Sequence, residues 1–259
     1  MILESIVNHK RDELAQLKIE KPLDVIKDAL RGLPPTRDFK KAIKPSSTGG
    51  TNIIAEVKKA SPSRGIIRDD FNPVEIASEY QKNSAVAISV LTDKKYFQGE
   101  LDYLKQIKEV TNIPILDKDF IIDVYQIYQA RIYGADAVLL IAAILTDNEL
   151  SEYLTLTNQL SLDALVEVHT LEELDRVLNT DAQIIGINNR DLKSFLVNTD
   201  TSVRLAKYIP DDKIVVSESG INSKEIISSL QKEGIDAFLI GEALMKEKDI
   251  GKKLRELVS

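Results

Sequence analysis

The chain has no cysteine among its 259 residues, which excludes disulfides, thiolate nucleophiles and thiolate metal sites. Histidine occurs only at His9 and His169, too few for a multi-histidine metal site. No long apolar run is present. The longest, Ala137 to Leu145, falls far short of the roughly 18 residues that span a bilayer, and Glu4 and His9 interrupt the only stretch that could serve as a signal peptide. Basic residues are outnumbered 34 to 41, giving a net charge of -7, and an acidic surface speaks against a nucleic-acid partner. It does not speak against a small anion, which responds to the local field of a cleft. The expectation is a soluble, cytoplasmic protein with neither a nucleic-acid nor a membrane partner.

Eight short apolar, β-rich segments recur along the chain: Ile53–Lys58, Val86–Leu91, Ile113–Lys118, Ala137–Ala142, Ala164–Val168, Ile184–Asn188, Lys213–Ser217 and Ala237–Ile240. Helical periodicity fills the stretches between them, at Val74–Gln81, Leu101–Val110, Ile122–Tyr133, Asn148–Leu160, Leu171–Leu178, Thr199–Lys207 and Ser223–Glu233. Such alternation implies βαβ units and a parallel sheet whose strands are buried on both faces. A barrel of this kind takes about 250 residues, so one fills the chain. A doubly wound sheet would carry a glycine-rich turn after its first strand, where this chain has Lys58-Lys-Ala-Ser-Pro-Ser63. The expected fold class is α/β, a (β/α)8 TIM barrel as a single domain over residues 1–259, with residues 1–45 as an N-terminal helical extension.

In that extension Leu3, Ile6, Val7, Lys10, Leu14 and Leu17 form one helical stripe, suited to covering an apolar surface or capping a mouth. Pro45 to Thr51 reads as a flexible connection. Gly134 and Gly234 follow helices and read as C-caps, while Gly186 and Gly241 punctuate strands. Tyr125, Tyr128 and Tyr133 are expected to pack, and Lys246 to Asp249 to belong to a solvated terminal region.

Strand side chains alternate with period two. Glu56 and Lys58 therefore share a face with Ile54, Lys118 with Leu116, Glu167 with Leu165, Asn188 with Gly186, and Glu218 with Val216. Burying one unpaired ion is costly, but Glu56, Glu167 and Glu218 against Lys58, Lys118 and Arg190 form a set that compensates itself. A barrel gathers such strand ends around one mouth, where barrel enzymes place their active sites. His169 by alternation points to the same mouth, but an exposed loop position is the expectation for it. Ser219, Gly220 and Gly241, on the loops after the last two strands, are candidates for a phosphate cradle.

The block Ile54-Ala-Glu-Val-Lys-Lys-Ala-Ser-Pro-Ser63 resembles the first-strand signature of the indole-3-glycerol phosphate synthases. Further resemblances follow in family order: Ser89–Thr92 with Tyr96–Gly99, Pro114–Phe120, Ala135–Ile141, Leu165–Val168, Ile185–Leu192 and Ser217–Ile221. The resemblance implies a cofactor-free, metal-free lyase that converts 1-(2-carboxyphenylamino)-1-deoxyribulose 5-phosphate to indole-3-glycerol phosphate, with loss of carbon dioxide and water. By residue-to-residue match, Lys118 looks like the acid for ring closure. Glu56 and Glu167 look like acid/base residues, and Lys58 a substrate contact that also serves the departing hydroxyl. Asn188 and Glu218 would orient the substrate or the charged network. Ser61, Phe97, Phe120 and Arg190 would bind substrate, and Ser219, Gly220, Gly241 and Glu242 its phosphate. Glu242 stands where some family members carry serine, so only its backbone amide is expected to help. The loop Lys59–Asn72, with Ser63, Arg64 and Gly65, suits a lid that excludes water. The implied partner is the phosphorylated, anthranilate-derived small molecule, and the implied state a monomer, with a dimer left open. The alternative is a ligand-binding barrel without turnover, natural or engineered, against which the full set Glu56, Lys58, Lys118 and Glu167 argues.

Overall fold

The structure, a computed structural model, describes residues 2–45, 50–191 and 194–259. Ser46–Gly49, most of the expected flexible connection, and Leu192 of the sixth-strand signature lie outside the described residues. Eight parallel strands close a barrel: β1 (Asn52–Val57), β2 (Ala87–Leu91), β3 (Ile115–Lys118), β4 (Ala137–Ile141), β5 (Asp163–Val168), β6 (Ile184–Asn188), β7 (Ile214–Glu218) and β8 (Ala237–Ile240). Each pairs with its sequence neighbours, and β1 pairs with β8 to complete the ring. The segments lie where the sequence places them. β3 begins two residues late because Pro114 has no N–H to donate, and β7 reaches Glu218.

The N-terminal segment contributes α1 (Ile2–Glu20), α2 (Leu23–Asp28) and α3 (Phe39–Ile43). The barrel helices are α4 (Pro73–Lys82), α5 (Asp102–Val110), α6 (Val124–Ile132), α7 (Asp147–Gln159), α8 (Leu171–Leu178), α9 (Asp200–Ala206), α10 (Lys224–Lys232) and α11 (Ile250–Val258). Most start on a side-chain cap that satisfies amides of the first turn: Asn72, Asp123, Thr146, Thr170, Ser223 and Asp249 all accept from their own helix. Gly134 and Gly234 end α6 and α10 at φ 95° and 88°, the left-handed C-cap that glycine adopts without Cβ strain.

The period-two reading holds strand by strand. Ile53, Ala55 and Val57 of β1 pack outward against helices, in one large apolar cluster with Ile185 and Ile187 of β6. Ile54, Leu116, Leu165, Ile184 and Val216 point inward and form a second cluster inside the barrel. That inner cluster also holds Phe39 and Ile43 of α3, both fully buried, so the extension plugs the bottom of the barrel. Its seat is fixed by strand-end residues: the Asp163 carboxylate accepts from the Lys40 amide at 2.8 Å, and the Asn52 amide group donates to the Ile43 carbonyl at 3.0 Å.

The rest of the extension climbs the outside of the barrel. Leu14 of α1 and Ile26 of α2 pack with fully buried Tyr125 of α6, whose hydroxyl donates to the Lys21 carbonyl at 2.9 Å. Tyr125 therefore packs, as expected. Ile2, Leu3 and Ile6 at the start of α1 reach the opposite end and line the mouth. α1 alone therefore both covers an apolar surface and lines the mouth.

Candidate active site

A cleft of about 620 Å³ opens at the C-terminal ends of the strands. Every candidate site residue lines it: Glu56, Lys58, Ser61, Phe97, Lys118, Phe120, Glu167, Asn188, Arg190, Glu218, Ser219, Gly220, Gly241 and Glu242. The inner layer that is apolar at Leu116, Leu165 and Val216 becomes ionic two residues on.

Lys118 sits at the centre of that ionic layer. Its Nζ lies 3.2 Å from Glu218 Oε2 and 3.4 Å from Glu167 Oε2. Burial works against the Lys118 ammonium, but Glu218, Glu167 and Glu56 together outweigh it and hold its pKa above the ordinary lysine value. The carboxylates divide. Burial pushes Glu218 up to about 7, with the Glu167 charge adding to the rise and Lys118 opposing it. Burial opposes ionisation of Glu167 as well, yet Lys118 and His169 hold it below the usual carboxylate range. Neutral pH thus finds one carboxylate ionised and its neighbour near its titration point, the separation that lets one site hold a base and an acid. Across the cleft, the Lys58 ammonium pairs with the Glu56 carboxylate.

Two glycines are dictated by these carboxylates. A Cβ on Gly186 would overlap the Glu218 carboxylate, and one on Gly241 would overlap that of Glu56. Neither is needed for its backbone angles; both leave room for an acid.

The aromatic wall is braced from α1. Phe97 and Phe120 face each other with ring centroids 6.0 Å apart. The Asp93 carboxylate accepts from the amides of Tyr96 (2.7 Å) and Phe97 (3.3 Å), and Asp119 accepts from the Phe120 amide at 2.8 Å. Lys10 bridges the two acids, at 3.3 Å from Asp93 and 3.0 Å from Asp119. This explains a lysine in an otherwise apolar stripe: it is buried because its partners are.

At the other side lie the loops after β6, β7 and β8. Ser219 and Gly220 both take left-handed φ, 67° and 80°, and the serine is a strained choice there. The turn is held from below by Asn189, whose side-chain amide donates to Ser217 Oγ at 3.0 Å and to the Ser219 carbonyl at 3.1 Å. Ser202 donates to the Asn189 side-chain oxygen at 2.9 Å and lies 2.7 Å from Ser217 Oγ, closing a buried polar knot.

Above this turn the Glu242 carboxylate gathers three cations: Lys246 at 2.5 Å, Arg64 at 3.2 Å and Arg190 at 3.4 Å. These cations hold its pKa down against the effect of burial. Its side chain therefore has a use beyond the backbone amide expected of it. Lys246 is corrected as well, since it reaches back to the cleft rather than only into solvent. The loop expected to act as a lid folds into a small antiparallel pairing of Ala60–Ser61 with Gly65–Ile66, which carries Arg64 to Glu242.

The expectation for His169 is overturned. It is not an exposed loop residue: its side chain is 10% exposed and lies between Glu167 and Glu173. Nor does it line the mouth, as the alternation of Leu165, Glu167 and His169 would have it. Asn189, Ser202 and Lys10 also went unassigned, because buried polar knots form between segments distant in sequence.

Comparison with known proteins identifies the family. A family model described as indole-3-glycerol phosphate synthase matches residues 3–257. An indole-3-glycerol phosphate synthase of Alkaliphilus metalliredigens is 49% identical over 259 residues, covering 100% of this chain and 98% of that protein. One of Campylobacter jejuni (strain RM1221) is 47% identical, covering 100% of both chains. Among solved structures, a thiamine phosphate pyrophosphorylase from Pyrococcus furiosus aligns at a TM-score of 0.60 and 18% identity, over 80% of this chain and 93% of that one, a likeness of fold alone. With a family model spanning nearly the whole chain and full-length relatives near half identity, the chain belongs to the indole-3-glycerol phosphate synthase family.

Proposed function

We propose that the chain closes, decarboxylates and dehydrates 1-(2-carboxyphenylamino)-1-deoxyribulose 5-phosphate to indole-3-glycerol phosphate, with Lys118 as the acid of ring closure. The observation that carries this assignment is the placement of Lys118 between Glu167 and Glu218 on the floor of the cleft, with aromatic rings on one side and a cation-rich turn on the other. The anthranilate ring lies against the wall formed by Phe97 and Phe120. Its carboxylate lies toward Ser61 and Lys58. The phosphate sits on the turn amides of Ser219, Gly220 and Gly241, with Arg190 opposite.

The ring carbon that bears the carboxylate attacks the ketone, and a carbon–carbon bond forms as the carbonyl oxygen becomes an alkoxide. An ammonium beside that oxygen stabilises the growing charge and hands over a proton. The carboxylate leaves as carbon dioxide, and the electrons of the broken bond restore the aromatic ring. The hydroxyl then departs as water. That step needs a second proton donor, for which Lys58 is an ammonium beside Glu56 in the cleft, and a carboxylate, Glu167 or Glu56, to take the proton from the neighbouring carbon. Protein residues supply each of these roles. The reading extends to a monomer acting in the cytoplasm, which sedimentation of the purified chain tests for its first part.

The direct test is to incubate the purified chain with the carboxyphenylamino-deoxyribulose phosphate, without added metal, and follow indole fluorescence. Product should accumulate at catalytic enzyme concentration. Absence of product at high enzyme concentration would sink the reading.

A further inference from the structure

His169 sits behind the cleft lining rather than in it, and both ring nitrogens face carboxylates. Nδ1 is 3.3 Å from Glu173 Oε2 in a hydrogen bond, and Nε2 is 3.3 Å from Glu167 Oε1, an ion-pair distance without hydrogen-bond alignment. Glu173 is itself fixed. The same oxygen accepts from the His169 backbone amide at 2.7 Å, and the Glu173 amide donates to the Thr170 hydroxyl at 3.2 Å in the first turn of α8. A chain of contacts therefore runs from the α8 N-terminus through Glu173 and His169 to Glu167. The two oxygens of Glu167 have separate neighbours, Oε1 the His169 imidazole and Oε2 the Lys118 ammonium. Rotation of the carboxylate would break one pair or the other.

We propose that His169, anchored by Glu173, is a positioning residue that fixes the orientation of the Glu167 carboxylate toward Lys118 and the reacting carbon. It touches no substrate and acts through Glu167, so the inference rests on the proposed function only for its kinetic arm. The charged groups facing His169 are Glu167 from β5 and Glu173 from α8. Those facing Glu167 are His169, Lys118 from β3 and Glu218 from β7. The turn Ala142–Ile144 packs on both β5 and α8 and contributes no titratable side chain. Burial opposes the imidazolium, but contact with Glu167 and Glu173 outweighs it and pushes His169 up to about 10. Removing the imidazole leaves Glu167 with Lys118 and Asn188 as partners and with less to fix its orientation.

The first arm of the test needs no turnover. The chain has two histidines, so a nitrogen-15 NMR titration of the imidazoles yields two sets of signals. The expected result is that His169 remains doubly protonated at pH 8, and that Glu173→Gln lowers its pKa by more than one unit. A neutral His169 at pH 7, or a titration unmoved by Glu173→Gln, would overturn the clamp whether or not the chain is an enzyme. The second arm is kinetic. In His169→Leu, kcat should fall about 10- to 100-fold, the range typical of groups that orient a functional residue. KM should hardly change, and the acid limb of the kcat profile should move to higher pH. His169→Gln, which keeps a donor toward Glu167, should recover part of the loss, and so covers the case in which the leucine variant does not fold. A role confined to packing would lower the melting temperature and leave the pH profile where it was, and that result also overturns the proposal. If wild-type chain forms no indole product while the titration behaves as expected, the proposed reaction fails and the clamp stands.

Discussion

Two floors of the same barrel, two residues apart on the same strands, have opposite chemistry. The lower floor is Ile54, Leu116, Leu165 and Val216, with Gly186 at that level on β6, all almost completely buried and closed from beneath by Phe39 and Ile43. The upper floor is Glu56, Lys118, Glu167, Asn188 and Glu218, three of them acids that are also almost completely buried. A step of two residues moves only about 6.6 Å along a strand. Within that distance the interior passes from groups that stabilise by leaving water to groups that cost stability by leaving it and are tolerated through mutual compensation. Substitutions on the two floors should therefore fail differently: on the upper floor in chemistry, on the lower in folding.

The largest expected effect is on the upper floor. Lys118→Ala should lower kcat by about 10²- to 10⁴-fold, the contribution typical of a positioned proton donor, with the barrel still folded. Indole fluorescence for rate and circular dichroism for fold check both halves. Near-normal turnover would take Lys118 out of the acid's role. Total unfolding would show that the ionic floor also carries the structure, and the comparison would collapse.

The lower floor should show the reverse. Phe39→Ala should cost about 3–5 kcal/mol and Leu165→Ala about 2–5 kcal/mol of stability, read from urea unfolding, because each leaves a cavity among rigid strands. Turnover per folded molecule should stay within a few-fold of wild type. Phe39 is the sharper probe, since it belongs to the extension and plugs the end of the barrel away from the reaction.

The difference between the floors also marks what could be read from the sequence. Period-two alternation made both floors legible, because apolar and charged residues on one strand face are ordered along the chain: Ile54 then Glu56, Leu165 then Glu167. The rule stopped short of His169, which follows the end of β5 and is buried by Glu167 and Glu173 rather than exposed as expected. Contacts across the chain were less legible. Lys10 meets Asp93 and Asp119, and Asn189 meets Ser202 and Ser217, through closure of the barrel that no local pattern encodes. The spacing left the use of the extension open, since a single apolar stripe does not say which end of a barrel it covers.

A smaller effect should appear with pH. Glu218 and Asp117 are both pushed up to about 7, chiefly by burial, and His169 is pushed up to about 10. Each raised pKa means that the folded chain holds protons the unfolded chain has released. For the two acids this window runs from the ordinary carboxylate range, about 4, to about 7; for His169 it runs from about 6.5 to about 10. Stability should therefore fall as pH rises across these windows. Glu167, depressed below its usual value, acts the other way only at pH below that range. The melting temperature should be higher at pH 5.5 than at pH 8, by roughly 2–4 °C per kcal/mol for a chain of this size. Glu218→Gln should flatten that slope, whereas Leu165→Ala should lower the curve equally at both pH values. A slope of opposite sign would mean that the ionic floor is hydrated and titrates as surface groups do.

The smallest effect concerns the rim above both floors, at Glu242. Three cations, Arg64, Arg190 and Lys246, face one carboxylate, leaving a charge of two to be met by a ligand. A phosphate dianion supplies that charge. The carboxylate has two opposed influences: it keeps the cations gathered while the cleft is empty, and it repels the phosphate when the substrate arrives. Partly exposed ion pairs of this kind are worth about 0.2–1 kcal/mol each, so the gathering influence is weak, while the repulsion acts on a doubly charged group. Repulsion should win. Glu242→Gln is expected to lower KM and strengthen inhibition by inorganic phosphate, each by about 2- to 5-fold, the size that ~0.5–1 kcal/mol implies. High salt should shrink both changes, since screening weakens charges that reach solvent. A rise in KM instead would show that the carboxylate's main service is to hold Arg64 and the lid in place, and would set the rim apart from the ionic floor, as a device for closing the cleft and not for reading charge.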